Sequence, residues 1–307
     1  MLISSSNEWD TLKSIIVGSA TNARLPSRCP KFRELESTTA WQETPVPKGK
    51  FPQSIIDEAN EDLELFSDTL KSLGVKVVRP KDMDFESFDG MYNYCPRDRV
   101  LIVDDVVVDA PMVYPTRIPE IEAIRENFTT LHHNEDEEVF FDAANVCRLG
   151  KDLLYLVSSS GNVEGGLWLA LTFPHKKVHI LENIYSGVHI DSTIVPVREG
   201  LVVINADRIT KENMPSVFED WEIIPITKNE MAEQSFYKYP YASNYIGLNF
   251  LSVNPQLVIC DPKQEHLRSE LQKQGVESIG VDLRHSRTLG GGHHCVTLDM
   301  ERDILQN

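Results

Sequence analysis

Cys295 closes the run Gly290-Gly291-Gly292-His293-His294-Cys295 and leads into Val296-Thr297-Leu298, an apolar stretch that predicts a strand beginning at the cysteine. Three glycines remove side-chain bulk, so backbone can approach a ligand closely and adopt angles barred to other residues. A cysteine at the mouth of such a turn is a candidate nucleophile. Its thiolate is the reactive form, and positive neighbours or aligned backbone N–H groups draw the pKa below the free value of about 8.5. A second segment, Val188-His189-Ile190-Asp191-Ser192-Thr193, alternates apolar and polar residues. Read as a strand, it presents His189 and Asp191 on one face, an acid/base group beside a carboxylate. A third, Phe140-Phe141-Asp142-Ala143-Ala144-Asn145, sets a carboxylate between aromatic and small residues, where it can serve chemistry or cap a turn. Thiol, imidazole and carboxylate together are the ingredients of covalent catalysis with proton transfer.

These residues need a scaffold, and the sequence carries a periodic one. Short β-rich apolar runs recur at Val100 to Val108, Leu153 to Ser158, Leu201 to Asn205 and Phe250 to Asp261. Markers Ile102, Leu153, Leu201 and Leu251 are separated by 51, 48 and 50 residues, a repeat of roughly fifty. Further runs at Ser14 to Val17 and Val296 to Leu298 lie at the two ends, which can share one unit. Helices are predicted at Pro52 to Leu73 and Gln264 to Gln274. Strand pairs alternating with helices make the class α/β; a propeller, a solenoid and a doubly wound sheet all tolerate the pattern. Residues 21 to 50, rich in Pro, Arg, Lys and Thr, read as a long loop, and Asn134 to Glu138 as a solvated acidic one.

Composition narrows the chemistry. The 307 residues are 41% hydrophobic, enough for a substantial core, and carry a net charge of −17. That charge disfavours nucleic acid and anionic membranes as partners and suits small cationic or zwitterionic substrates. No run of about 18 apolar residues marks a membrane span, and Met1 to Trp9 lacks the features of a signal peptide, so a cytoplasmic location is expected. The cysteines Cys29, Cys95, Cys147, Cys260 and Cys295 are odd in number and widely spaced, and read as reduced thiols. His132, His133, His293 and His294 have no zinc-ligand spacing, and no phosphate loop or nucleotide fingerprint occurs. Neither metal nor cofactor is expected.

The three chemical segments, in this order, resemble the signature blocks of the arginine:glycine and arginine:inosamine-phosphate amidinotransferases. The resemblance assigns the nucleophile to Cys295, the catalytic histidine to His189 and the catalytic aspartate to Asp142. Lesser blocks extend it. Cys95-Pro96-Arg97-Asp98 is similar to a segment whose aspartate lies at the guanidino group, with Tyr92 at an aligned tyrosine; Asp191 is a further guanidino-binding carboxylate. Asn205-Ala206-Asp207-Arg208 supplies an arginine for the substrate carboxylate, and Ala242-Ser243 the adjoining serine. Because the similarity runs from about residue 10 to the end, residues 1–307 are read as one domain. It implies a five-bladed α/β propeller (pentein) of ββαβ units around a central channel, in agreement with the repeat of about fifty. The family admits a homodimer, although no stretch of this sequence marks an interface.

The implied reaction is transfer of the amidino group of L-arginine to an acceptor amine through an amidino-cysteine, releasing L-ornithine. Its main rival is hydrolysis of a guanidino group, as in the related arginine deiminases and dimethylarginine hydrolases. Ser186 and Val188 stand where glycine-specific members have asparagine and methionine, and Ala242 replaces a serine, so the acceptor pocket is expected to be wider than glycine needs. The chain is also short between about Glu126 and Val139. Glycine or another small amine is the expected acceptor, with an inosamine phosphate as the alternative.

Overall fold

The computed structural model describes residues 2–32 and 46–303. Strands β1 (Leu12–Val17), β2 (Arg24–Leu25) and β3 (Gly49–Lys50) precede helix α1 (Gln53–Ser72) and β4 (Lys76–Val78). A one-turn helix α2 (Pro96–Arg99) leads into β5 (Val100–Val103) and β6 (Val106–Asp109), then through 3-10 segments to β7 (His132–His133). Next come β8 (Val146–Leu149), β9 (Asp152–Leu156), α3 (Val163–Thr172) and β10 (Lys177–Leu181). The following unit is β11 (Ile194–Arg198), β12 (Leu201–Asn205), a 3-10 turn and β13 (Glu222–Ile226). The chain closes with β14 (Leu251–Asn254), β15 (Leu257–Cys260), α4 (Glu265–Lys273), β16 (Glu277–Gly280), α5 (Ser286–Leu289) and β17 (Thr297–Arg302).

These strands form five three-stranded sheets of one pattern, an antiparallel pair with a third strand parallel to its middle member. In the unit that joins the ends, β17 runs antiparallel to β1, and β4 lies parallel to β1 on its other side. The repeat of fifty is therefore structural. The markers nonetheless fall at unequal places: Ile102 and Leu251 on the first strand of their units, Leu153 and Leu201 on the second. A helix crosses between second and third strands in three units, whereas 3-10 segments replace it before β7 and β13. Part of the 21–50 stretch pairs as β2 and β3, and 33–45 lie outside the described residues.

Burial explains which elements the pattern reveals. On α1 the residues Ile55, Ile56, Ala59, Leu63, Phe66 and Leu70 form one buried stripe, and Gly74 follows at φ +84° to end it. Helix α3 has no such stripe: Leu169 is buried while Leu167 and Leu171 are exposed. Its Gly165 and Gly166 are there for packing, since a Cβ would lie 2.4 Å from Tyr155 Oη and 2.8 Å from Ile180 Cγ1 respectively. The third strands of the sheets lie at edges, are short and mix polar with apolar residues, so they escape an apolar-run search.

A buried ionic network ties the units together beneath the site. Asp299 on β17 accepts from Arg148 of β8 (2.9 Å), Arg302 (2.8 Å), Ser5 (2.7 Å) and Arg97 of α2 (2.5 Å). Removing one member of such a cluster strands the others in low dielectric, which typically costs about 3–5 kcal/mol. Among the described residues, no helix is long and apolar enough to cross a membrane.

Candidate active site

The chemically marked residues converge from different units. Asp98 is carried by the one-turn helix α2, whose N1 position is Pro96. Asp142 precedes the 3-10 turn Ala143–Asn145 without capping it; its side chain turns toward His189 instead. Cys295 sits in the turn before β17, two residues short of the strand rather than at its start. Together they line a cleft with His189, Asp191, Tyr92 and Ser243.

His189 and Asp191 do not lie on a strand as the alternation predicted. Residues 187–193 form bends and a turn, anchored where Ile190 N–H donates to Ala144 O (3.1 Å) and closed where Thr193 N–H donates to Ile190 O (2.7 Å). Val188, His189, Asp191 and Ser192 all reach the same cleft, which strand geometry forbids. Ile190 points into the core.

His189 is held between carboxylates, with Nε2 3.1 Å from Asp142 Oδ2 and Nδ1 3.6 Å from Asp98 Oδ1. Burial pulls the imidazole's pKa down, but the charge of Asp98, the hydrogen bond and charge of Asp142 and the charge of Asp191 outweigh it, raising it to about 9. At neutral pH the ring is a cation and a ready proton donor. Asp98 is fixed in turn by Arg117 (3.0 Å), which grips Glu120 with two nitrogens and lies over the Tyr92 ring at 5.3 Å. One oxygen each of Asp98 and Asp142, Oδ1 in both, is buried and accepts no hydrogen bond from the described residues.

The thiol contradicts one expectation. Cys295 Sγ donates to Asp191 Oδ2 at 3.2 Å, and burial, then the charges of Asp191, Cys95 and Asp98, push it well above the ordinary thiol range. The N–H groups of His294 and Cys295 do not face the sulfur either, since both donate to Asn249 Oδ1 at 3.0 Å. Asp191 stays ionised: burial opposes this, yet the His294 contact, His189 and the thiol lower it to about 2. The glycines do serve close packing. Gly290 sits at φ +85°, and a Cβ on Gly291 would lie 2.4 Å from Cys95 Sγ and 3.2 Å from Cys295 Cβ.

Arg208 is placed differently from the other site residues. Its guanidinium stacks on Tyr185 at 3.5 Å and bonds Thr193 Oγ1 (2.7 Å) and Ser192 Oγ (3.2 Å), behind the wall that Tyr185 and Ser192 present to the cleft. Sequence reasoning missed Asn249, Arg117, Glu120 and Tyr185, none of which belongs to a recognisable motif. His294 stands out in the sequence only as a candidate metal ligand. Among the described residues, no group of three His, Cys, Asp or Glu side chains is arranged to hold a metal ion.

No family model matches the chain. Individual relatives do. Inosamine-phosphate amidinotransferase 1 of Streptomyces glaucescens is 37% identical over 339 residues, spanning 98% of this chain and 97% of that protein. The chain belongs to the amidinotransferase family. An L-arginine:L-lysine amidinotransferase of Pseudomonas savastanoi pv. phaseolicola is 30% identical over 98% of this chain and 94% of its own length. In structure, this amidinotransferase matches the inosamine-phosphate amidinotransferase of Streptomyces griseus with a TM-score of 0.91 at 36% identity, over 100% and 98% of the two chains. It also matches DDAH from Pseudomonas aeruginosa with a TM-score of 0.67 at 18% identity, over 94% and 99% of the chains, which is a likeness of fold.

Proposed function

We propose that this amidinotransferase takes the amidino group of L-arginine onto Cys295 and passes it to a primary amine. The carrying observation is the pair of buried carboxylate oxygens beside the Cys295 thiol, Asp98 Oδ1 and Asp142 Oδ1, to which no donor among the described residues hydrogen-bonds. A guanidinium brings five N–H donors and a positive charge in one plane, matching acidic acceptors that would otherwise be costly to bury. Cys295 attacks the guanidino carbon as Asp191, hydrogen-bonded to the thiol, takes its proton. Imidazolium His189 protonates the departing nitrogen of ornithine, leaving an amidino-cysteine. Neutral His189 then removes a proton from the entering amine, whose attack frees the cysteine to recover its proton. Ser243 and Tyr92 line the cleft that would take the substrate, and Arg208, stacked behind Tyr185, is assigned to its carboxylate. The five like sheets, one of them built from both chain ends, support a five-bladed propeller with the cleft at its axis.

For the acceptor, the 37% relatives move an inosamine phosphate ahead of glycine. Two features support a bulkier amine: Val188 and Ala242 line the cleft with small side chains, and the groove that shares Ser243 with it carries Lys228 and Arg287 beside Glu233. Incubation of arginine with inosamine phosphate, lysine or glycine tests both levels. Ornithine with a new guanidino product supports transfer and identifies the acceptor; citrulline as the sole product refutes transfer.

A further inference from the structure

We propose that His294 is a positioning residue whose imidazolium bridges Asp191 and Glu8 and thereby holds the Asp191 carboxylate against the Cys295 thiol. The inference rests on Cys295 being the nucleophile. His294 Nδ1 lies 3.0 Å from Asp191 Oδ2, and Nε2 lies 3.2 Å from Glu8 Oε2. Both partners are carboxylates. Glu8 accepts from Arg148 Nε (2.9 Å) and a terminal nitrogen (2.7 Å), with Arg97 at 3.6 Å. Ionised carboxylates only accept hydrogen bonds, so each ring nitrogen carries a hydrogen and the ring is positive.

One oxygen does two tasks. Asp191 Oδ2 meets both the His294 ring and the Cys295 Sγ, at 3.0 and 3.2 Å. Because His294 directly precedes Cys295, ring and thiol flank the same carboxylate, and a carboxylate that turns from the ring also turns from the thiol. Among the described residues, no other side-chain nitrogen donates to the Asp191 carboxylate. Behind Asp191 and His294 lies a small cavity walled largely by Val146, Ile190, Ile194, Val195 and Phe250. The charged and titratable groups around the thiol are Asp191, Asp98, Cys95 and Tyr94, with His189 and Asp142 across the cleft; around the ring they are Asp191, Glu8 and Cys147, with Arg97 and Arg148 behind. His294 is thus the cation fixed on the protein nearest to Asp191 on the side away from His189, and it offsets a carboxylate that would otherwise oppose thiolate formation.

Two substitutions separate positioning from plain packing. In His294→Asn the amide nitrogen takes the place of Nδ1 and keeps the donor to Asp191, without the charge; in His294→Gln it takes the place of Nε2 and the donor is lost. Each variant is compared with wild type by kcat, arginine KM, thermal unfolding and the pH dependence of iodoacetamide alkylation at the Cys295 peptide. His294→Gln is expected to lower kcat at least about tenfold with KM within about threefold, and to move the alkylation midpoint up by about one pH unit. His294→Asn recovers kcat to within about threefold while its midpoint stays displaced, because the charge is still missing. Wild-type kcat and midpoint in His294→Gln overturn the proposal. So does an equal loss of kcat in both variants with an unmoved midpoint, which marks a structural role. Absence of any amidino adduct on wild-type Cys295 removes the nucleophile reading itself; an adduct with unmoved variants removes this inference alone.

Discussion

Asp142→Asn tests how the site keeps His189 protonated. The substitution preserves shape and a hydrogen-bond acceptor at the 3.1 Å contact but deletes the charge. A hydrogen bond to a charged group is worth roughly 1.5–3 kcal/mol, and one pH unit corresponds to about 1.4 kcal/mol, so the imidazole should lose about one to two pH units. Its titration then falls from about 9 to roughly 7–8, with Asp98 and Asp191 still holding it above the ordinary histidine value. The assay is kcat/KM for arginine across roughly pH 6 to 10, where loss of the general acid sets the basic limb. Side-chain nitrogen NMR of His189 in the resting enzyme assigns that limb. The limb should move down by one to two units, with a smaller rate deficit at low pH than at high pH. A basic limb that stays near 9 in Asp142→Asn, matched by an unmoved His189 resonance, refutes the account of the carboxylate cage.

Other perturbations probe separate links. Cys295→Ala should abolish turnover and the arginine-dependent mass adduct while unfolding within about 1 kcal/mol of wild type, since it deletes one sulfur from a cleft wall. His189→Asn should lose a stabilising contribution of up to roughly 3 kcal/mol that wild type holds below the unfolded histidine value near 6.5. Because the folded value is raised, that advantage fades as pH climbs through about 9, so denaturant unfolding of the two proteins should converge there. Gly291→Ala places a methyl 2.4 Å from Cys95 Sγ and 3.2 Å from Cys295 Cβ, and should reduce kcat at least about tenfold with a smaller change in arginine KM, measured by ornithine release. Arg208→Ala should raise arginine KM strongly and remove discrimination against agmatine; equal use of arginine and agmatine by wild type would show that Arg208 serves only to support Tyr185 and Thr193.

Most of the central strands were legible because each is a short run of buried Val, Ile and Leu, and α1 because six apolar residues recur on one face. Edge strands such as β10 and β16 were hidden by their polar content, and α3 by glycines that its packing against Tyr155 and Ile180 demands. The site divides the same way. Cys295, His189 and Asp142 stand in local motifs, whereas Glu8 meets His294 across 286 positions and Asn249 reaches the Cys295 backbone across 46. No local pattern encodes such pairings. The direction of the thiol's shift was also beyond local reading, because it depends on which carboxylates the fold delivers to the sulfur.

In the proposed reaction, that direction gives the acidic cleft a role in guarding the Cys295 thiol. In the resting site Cys295 is buried, hydrogen-bonded to Asp191 and kept protonated, so it is a poor target for passing electrophiles. A guanidinium seated on Asp98 and Asp142 adds a positive charge beside the sulfur. At about 4 Å and an effective dielectric near 20, one unit charge favours a thiolate by about 4 kcal/mol, or roughly three pH units. In the proposed reaction the cation under attack is therefore also the group that makes the attacking form accessible. An uncharged urea of similar shape brings no such charge, and it leaves the thiol protonated. In the proposed reaction those carboxylates keep His189 charged in the empty cleft, and the cation that settles on them favours the thiolate and loosens the His189 proton together, so that it passes to the leaving nitrogen. In this arrangement the carboxylates that suppress the thiol in the empty cleft are the means by which it is activated in the filled one.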